Sequence, residues 1–505
     1  MGVDPPVPQF YCLSGFPVGT LLNFPMHDPV TASRTASTLP APRRSRLARG
    51  SVALAAAAAI LCSHPGPALA QQGKLPVLRD AESEALLRDY SRPILQAAGL
   101  GKQNIEIVII NSRDFNAFVA DGRRIFVNYG ALFQSTTPNQ IIGVLAHETG
   151  HIAGGHLARI REQLASAQTA ALVALLIGAA AIGASAASGQ GNNIGQAAPG
   201  IIMGPQEVIR RTLLSYQRSQ EEAADRAAVN YLNATGQSAR GMIETFARFK
   251  QDQLFISQQV DPYLLSHPTA QNRIAQLESL AQSSPYYNRK DSAELQHRHD
   301  MMRAKISGYF EKPDVVARRY PPSNNSMPAQ YARAVSLYRW GNVGAAVRQI
   351  DALISQQPNN PYFHELRGQV LLESGRAKDS IPSLRRAVDL SKGNALIRMM
   401  LGQALVQGGS NEDAQEAIRE LRFALQREPN ASFGHRQLAT AYARVGDRAN
   451  ADLSAAYAAF NDADFKAAKT LATRAQRSFK VGTPGWLRAD DIIKFQPPKI
   501  AQGQR

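Results

Sequence analysis

The sequence predicts a mainly α protein with a small β-sheet, in which an N-terminal domain carrying the sheet is followed by an α-solenoid. Three observations carry that reading. Gly341, Gly375 and Gly409 recur at a 34-residue interval in the C-terminal third, the mark of stacked helix pairs. Two strand-like stretches flank Asp121-Gly122, a dipeptide that favours a hairpin. An apolar-periodic stretch then opens on Thr137-Pro138, a helix start.

Taken in order, residues 1–70 read as a leader ending in a secretory signal peptide. Arg43, Arg44, Arg46 and Arg49 precede the apolar run Val52 to Leu61, and Ala68-Leu69-Ala70 offers a small-residue cleavage site near Ala70. The long stretch before the arginines puts the true translation start in question. Both cysteines, Cys12 and Cys62, fall in this part, so export would leave a chain without thiols, suited to an oxidising compartment such as the periplasm.

Residues 71–285 form the first domain. Residues 71–100 read as an amphipathic helix with Glu82, Glu84 and Arg88 outward, leading into a first strand from Ile105 to Ile110. Asn111 to Asn128 supplies the hairpin. The next helix has Thr137 as N-cap, Pro138 at its first position and Gln140 completing a capping box. Ile141, Ile142, Val144 and Leu145 make its buried stripe.

That helix carries His147-Glu148-Thr149-Gly150-His151. In this H-E-x-x-H pattern the histidines lie one turn apart on one face, where both imidazoles can hold one zinc ion. The glutamate between them suits a general base acting on water that the metal acidifies. The competing reading is a chance match on a core helix. A catalytic zinc takes three protein ligands, and Glu221 is the best candidate for the third. It lies on a helical stretch with Asp225 at i+4, so one carboxylate can bind metal while the other orients a ligating histidine.

With these residues in place, the chain resembles the gluzincin zinc metallopeptidases of the HtpX and BepA kind, metallopeptidase family forty-eight. The resemblance rests on H-E-x-x-H followed by E-x-x-x-D with an arginine before it, here Arg218. It implies a zincin-type domain holding one Zn2+ on His147, His151 and Glu221, with Glu148 as base and Asp225 supporting a zinc histidine. His156 looks like the family's common extension; the metzincin third-ligand position is held by Leu157, so a metzincin reading fails. In similar proteases the strand held here by Asn116, Ala117 and Phe118 borders the cleft and can pair with substrate backbone. Ser266-His267-Pro268 with Arg273 resembles a late family element whose histidine approaches the metal, blocking the water position or stabilising the tetrahedral intermediate. A loop histidine that caps the following helix is the alternative for His267.

Between the zinc motifs, Ala170 to Ala187 is rich in alanine and glycine. It admits three readings: a loop or hairpin near the site that touches membrane peripherally, a buried helix, or a span. A span is disfavoured, because one crossing would put the halves of the zinc site on opposite sides of the bilayer. The chain is basic, with 56 Lys and Arg against 40 Asp and Glu and a formal charge of +16, which suits acidic partners or an acidic membrane surface. The positive residues are scattered without a basic-aromatic module, which argues against nucleic acid as a partner.

Residues 286–326 read as a linker with connecting helices, residues 327–480 as four tetratricopeptide repeats with a partial repeat or cap, and residues 481–505 as a tail. Gly368 and Gly402, and Ala346, Ser380 and Ala414, keep the repeat register, and an insertion of about three residues precedes Gly446. Such solenoids bind extended protein segments on their concave face. The periplasmic subgroup that the chain resembles joins the two domains in this order. It implies a quality-control protease for unfolded outer-membrane proteins, working near their assembly machinery. The second reading is a chaperone or assembly adaptor with a structural or latent zinc site.

Overall fold

The computed structural model of the protein describes residues 13–14, 75–163, 217–255, 267 and 271–497. The predicted signal peptide, apart from Leu13–Ser14, and the segment Ala170 to Ala187 lie outside the described residues.

The architecture is mainly helical with one small sheet, as the sequence predicts. The strands are β1 (Leu13–Ser14), β2 (Pro76–Leu78), β3 (Glu106–Ile110), β4 (Ala117–Val119) and β5 (Arg124–Asn128), in the order β1-β2-β3-β5-β4. The first strand of the domain is therefore β2 and not Ile105 to Ile110, because Val77 and Leu78 pair antiparallel with Ile110 and Ile109. The hairpin forms as expected, with Ala117 opposite Val127 and Gly122 at φ +73 in the turn. Since β5 lies parallel to β3, β4 is left at the edge.

Helix α1 (Ala81–Ala97) starts at Asp80, whose side chain accepts from the Ser83 amide. Its orientation overturns the sequence reading of the first turn. Glu82 and Glu84 are only 7% and 9% exposed, while Arg88 does face outward. Lys305 explains the difference: its Nζ lies 2.5 Å from Asp80 Oδ1 and 3.4 Å from Glu82 Oε2, and Arg79 pairs with Glu84. Helical periodicity shows which residues share a face, but a buried partner 225 residues away decides that an acidic face is buried.

After α2 (Tyr129–Gln134) comes α3 (Pro138–Ala153), which carries the H-E-x-x-H motif. Thr137 is its N-cap without a side-chain cap bond; Gln140 instead reaches back to the Thr136 amide at 2.7 Å, and the Asn139 amide is capped by Asp291 at 2.9 Å. The helix packs on α4 (residues 217–234) so closely that a Cβ on Gly150 would lie 2.9 Å from the Ala224 carbonyl oxygen. Its other side meets α5 (Arg240–Phe255), where a Cβ on Gly143 would lie 2.8 Å from Met242 Cβ. Ile141, Val144 and Leu145 are fully inside the resulting core.

Residues 286–326, read as a linker with connecting helices, join two cores. They contain Ala293–Phe310, whose Met302 and Ile306 enter the peptidase-side core while Met301 and Tyr309 enter the core of the first repeat. Four helix pairs follow from Met327–Arg339 to Arg448–Asn461. The insertion sits in Asn411–Arg427, which has 17 residues where the second helices of the other pairs have 14. Gly368 and Gly402 keep their register for packing: a Cβ on either would lie 2.5 Å from Leu384 or Leu421 of the paired helix. The predicted tail contains a further helix, Pro484–Lys494, whose Ala489 and Ile492 share a core with Phe465–Ser478.

The solenoid also grips its own chain. Ala81 packs into the apolar core of the middle repeats, Tyr331 donates to Glu82 Oε2 at 2.9 Å, and Arg79 reaches Glu428 at 2.9 Å.

Candidate metal centre

Packing of α3 on α4 brings the two halves of the site together. His147 Nε2 and His151 Nε2 lie 3.0 Å apart, and the Glu221 carboxylate is 3.4 Å from the first and 3.3 Å from the second. His267 comes from a separate segment and places Nδ1 3.1 Å from Glu221 and 3.3 Å from His147 Nε2. All four donors lie within 4.8 Å of one another.

The spacing itself tests whether a metal fits. Bonds of about 2.0–2.1 Å to a tetrahedral ion put neighbouring donors about 3.3–3.4 Å apart. The separations of 3.0 to 3.4 Å that join His147 with His151, Glu221 and His267, and Glu221 with His151 and His267, match that cage, and nitrogen with carboxylate oxygen is a donor set that zinc accepts. These residues fit a divalent ion, with His147, His151 and Glu221 as its holders and His267 at the remaining corner.

The supporting residues follow the same logic. His147 Nδ1 lies 2.9 Å from Asp225 Oδ1, which keeps the Nε2 lone pair facing the cage, and His151 Nδ1 lies 3.0 Å from His156 Nδ1. Arg273 donates to Glu221 at 2.9 Å and to both Asp225 oxygens at 2.5 and 3.0 Å. Arg218, by contrast, is exposed. The buried arginine of the site is thus Arg273, which the sequence shows only as the last letter of the late H-P-x-x-x-x-R element.

Burial dominates the electrostatics. It opposes charge on His147, but the hydrogen-bonded Asp225 and Glu221 outweigh it and raise that group to about 9. Burial with too little compensation lowers His151 to about 3. Glu221, though buried, is held well below the usual carboxylate range by His267, His147 and His151.

Glu148 differs from every other carboxylate here. It is fully buried, and neither oxygen has a hydrogen-bond partner among the described residues. Burial raises its pKa, and the closest cationic group is His267 Nε2 at 3.3 Å. The same Nε2 lies 3.2 Å from the Ala117 carbonyl oxygen, so His267 bridges the base and the edge strand. Asn116 is already engaged through its carbonyl with the Asn128 amide, while Phe118 stacks on Phe126 at 5.2 Å.

A helix bearing two histidines and an internal glutamate, crossed by a second helix with a third ligand and flanked by an edge strand, defines a metallopeptidase. Residues 78–281 match peptidase family M48, and residues 371–432 match a tetratricopeptide repeat. The chain thus carries a family M48 peptidase domain followed by tetratricopeptide repeats. Among characterised proteins, it is 25% identical over 75% of its length to the "Beta-barrel assembly-enhancing protease" of Escherichia coli K12, covering 75% of that protein. The protein of that name from Yersinia pestis is 25% identical, with 70% of this chain and 72% of that one aligned. The "Putative beta-barrel assembly-enhancing protease" of Vibrio cholerae is 24% identical over 57% and 58%. The solved structure of "MamA MSR-1 C2" aligns with 34% of this chain and 99% of its own at 20% identity, but its TM-score of 0.29 is too low to argue from.

Proposed function

We propose that the protein is a zinc-dependent endopeptidase of the bacterial cell envelope. Exported to the periplasm, it hydrolyses misfolded or stalled outer-membrane proteins, and its repeats recruit substrate or assembly machinery. One observation carries the reading: a donor set of zinc dimensions stands beside a buried carboxylate that has no hydrogen-bond partner among the described residues and only His267 Nε2 near it, at 3.3 Å. A structural metal site has no use for Glu148. The relatives' names, proteases that enhance β-barrel assembly, support a link to outer-membrane proteins, and the absence of thiols after residue 70 agrees with the compartment. Among the described residues, no helix is long and apolar enough to cross a membrane.

The metal, when bound, supplies a Lewis acid that polarises the scissile carbonyl and acidifies water. The protein's own residues do the rest. Glu148 takes the water's proton and passes it to the leaving amine, and its raised pKa brings it closer to the pH at which it must both accept and donate. The β4 edge, through Asn116, Ala117 and Phe118, aligns an extended substrate beside the site. His267 Nε2 is placed to donate to the carbonyl oxygen as charge develops there.

The latent-site reading also has an observation behind it. With His267 Nδ1 among the donor atoms, a bound metal would be held by four protein groups, and His267 would take the position that a water needs. Zinc content and degradation of an unfolded outer-membrane protein decide between them. Glu148→Gln retains zinc and loses cleavage; loss of zinc contradicts its assigned role. Faster cleavage by His267→Ala identifies an inhibitory ligand, and bound zinc without cleavage by any form, partners included, moves the function to the adaptor.

A further inference from the structure

A second cleft lies far from the metal, among the last repeats. It encloses about 560 Å3, in the range of small-ligand sites and too small for a folded partner. Helices Asn411–Arg427, Ser432–Arg444, Arg448–Asn461 and Pro484–Lys494 form its walls. Leu425, Leu438 and Leu453 give it an apolar floor, and Tyr442 and Tyr457 line its side.

Two arginines, Arg422 and Arg488, line it, and no carboxylate does. Among the described residues neither guanidinium is ion-paired: Arg488 gives only Nε, to the Pro484 carbonyl at 3.2 Å, and Arg422 bonds to Tyr442. Two of the acids close by are engaged elsewhere. Asp447 caps its helix and holds Asn450, and Asp490 pairs with Lys494. Asp491 and Arg488, both on the C-terminal helix, act on the Tyr457 hydroxyl with opposite sign, Asp491 raising and Arg488 lowering its pKa.

A buried imidazole in the same lining is also incomplete. His435 is 9% exposed, stacks on Tyr457 at 5.2 Å, and bonds through Nε2 to the Pro429 carbonyl at 2.9 Å. That bond makes Nε2 the donor, so Nδ1 is an acceptor, and among the described residues it has no partner. Such a group in a cleft is unsatisfied until a donor arrives.

We propose that this cleft binds the C-terminal end of an extended polypeptide. Arg422 and Arg488 hold the free α-carboxylate, the tyrosines and leucines take a bulky last side chain, and Asn450 with His435 meets the peptide backbone. Guanidinium matches carboxylate through paired hydrogen bonds, and aromatic walls with an apolar floor fit a hydrophobic terminal residue. The site adds recognition of chain ends to a protease whose cutting residues lie in the other domain, and its test does not depend on cleavage.

The test uses the full chain with Glu148→Gln, so that the probe is not cut. Fluorescence anisotropy compares a labelled five-residue peptide ending in phenylalanine with a free carboxylate, the same peptide as its amide, and one with an internal aspartate and an amidated end. The free acid is expected to bind at least about tenfold more tightly than either amide, since hydrogen bonds to a charged group are the stronger ones. Arg422→Gln with Arg488→Gln should reduce the acid to the level of its amide while helicity and thermal melting stay unchanged. Arg422→Lys with Arg488→Lys, which keeps charge but not the paired geometry, should fall between. Equal binding of acid and amide, equal binding of the internal aspartate, or an unaffected double variant overturns the proposal.

Discussion

Replacing Glu365 by glutamine tests how the peptidase and the repeats are joined. Glu365 is 6% exposed, and its Oε2 has no partner. Burial pushes its pKa from 4.5 up to about 8; Lys305 opposes that shift, while Asp80, Glu82 and Glu84 add to it. A carboxyl whose folded pKa lies above its unfolded value binds more protons folded than unfolded between the two. Stability is therefore lost as pH rises from about 4.5 to about 8. At 1.36 kcal/mol per pH unit that window amounts to roughly 4–5 kcal/mol, of which roughly 3 kcal/mol is already lost at pH 7. Glutamine has nearly the same shape and no charge to bury. Glu365→Gln should match the wild type at pH 5 and exceed it increasingly up to pH 8.5, by several degrees if each kcal/mol moves the melting point by about 2–4 °C. Thermal melts of both proteins across that range give the difference directly. A difference that does not change with pH, or that favours the wild type at high pH, refutes the argument.

Other outcomes follow from the same geometry. His151→Ala removes one corner of the cage, so the purified protein should lose stoichiometric zinc by elemental analysis while Glu148→Gln keeps it. Gly150→Val puts branched carbons where even a Cβ stands 2.9 Å from the Ala224 carbonyl, so the helices that carry the ligands must separate; a stability loss of roughly 1–3 kcal/mol and faster zinc release to a chelator are expected. Lys305→Met leaves Asp80 and Glu82 buried without their cation, at a cost of roughly 3–5 kcal/mol by urea unfolding.

Much of this protein is determined by the sequence alone, because its signals are local. Two histidines one turn apart, an Asp-Gly turn and a 34-residue period each depend on residues within one or two elements, so the catalytic helix, the hairpin and the repeats are legible without coordinates. The candidate ligands are legible for a related reason: i and i+4 spacing fixes His147 with His151, and Glu221 with Asp225, on single faces. What only the tertiary structure decided involves partners distant in sequence. Whether Glu82 and Glu84 face water depends on Lys305 and Arg79, and the role of Arg273 depends on α4 passing over it. The meeting of His267, Glu148 and the Ala117 carbonyl joins three separate segments. Burying a charge or closing a metal cage is decided by which surfaces pack together, and a pattern along the chain carries no record of what lies across the core.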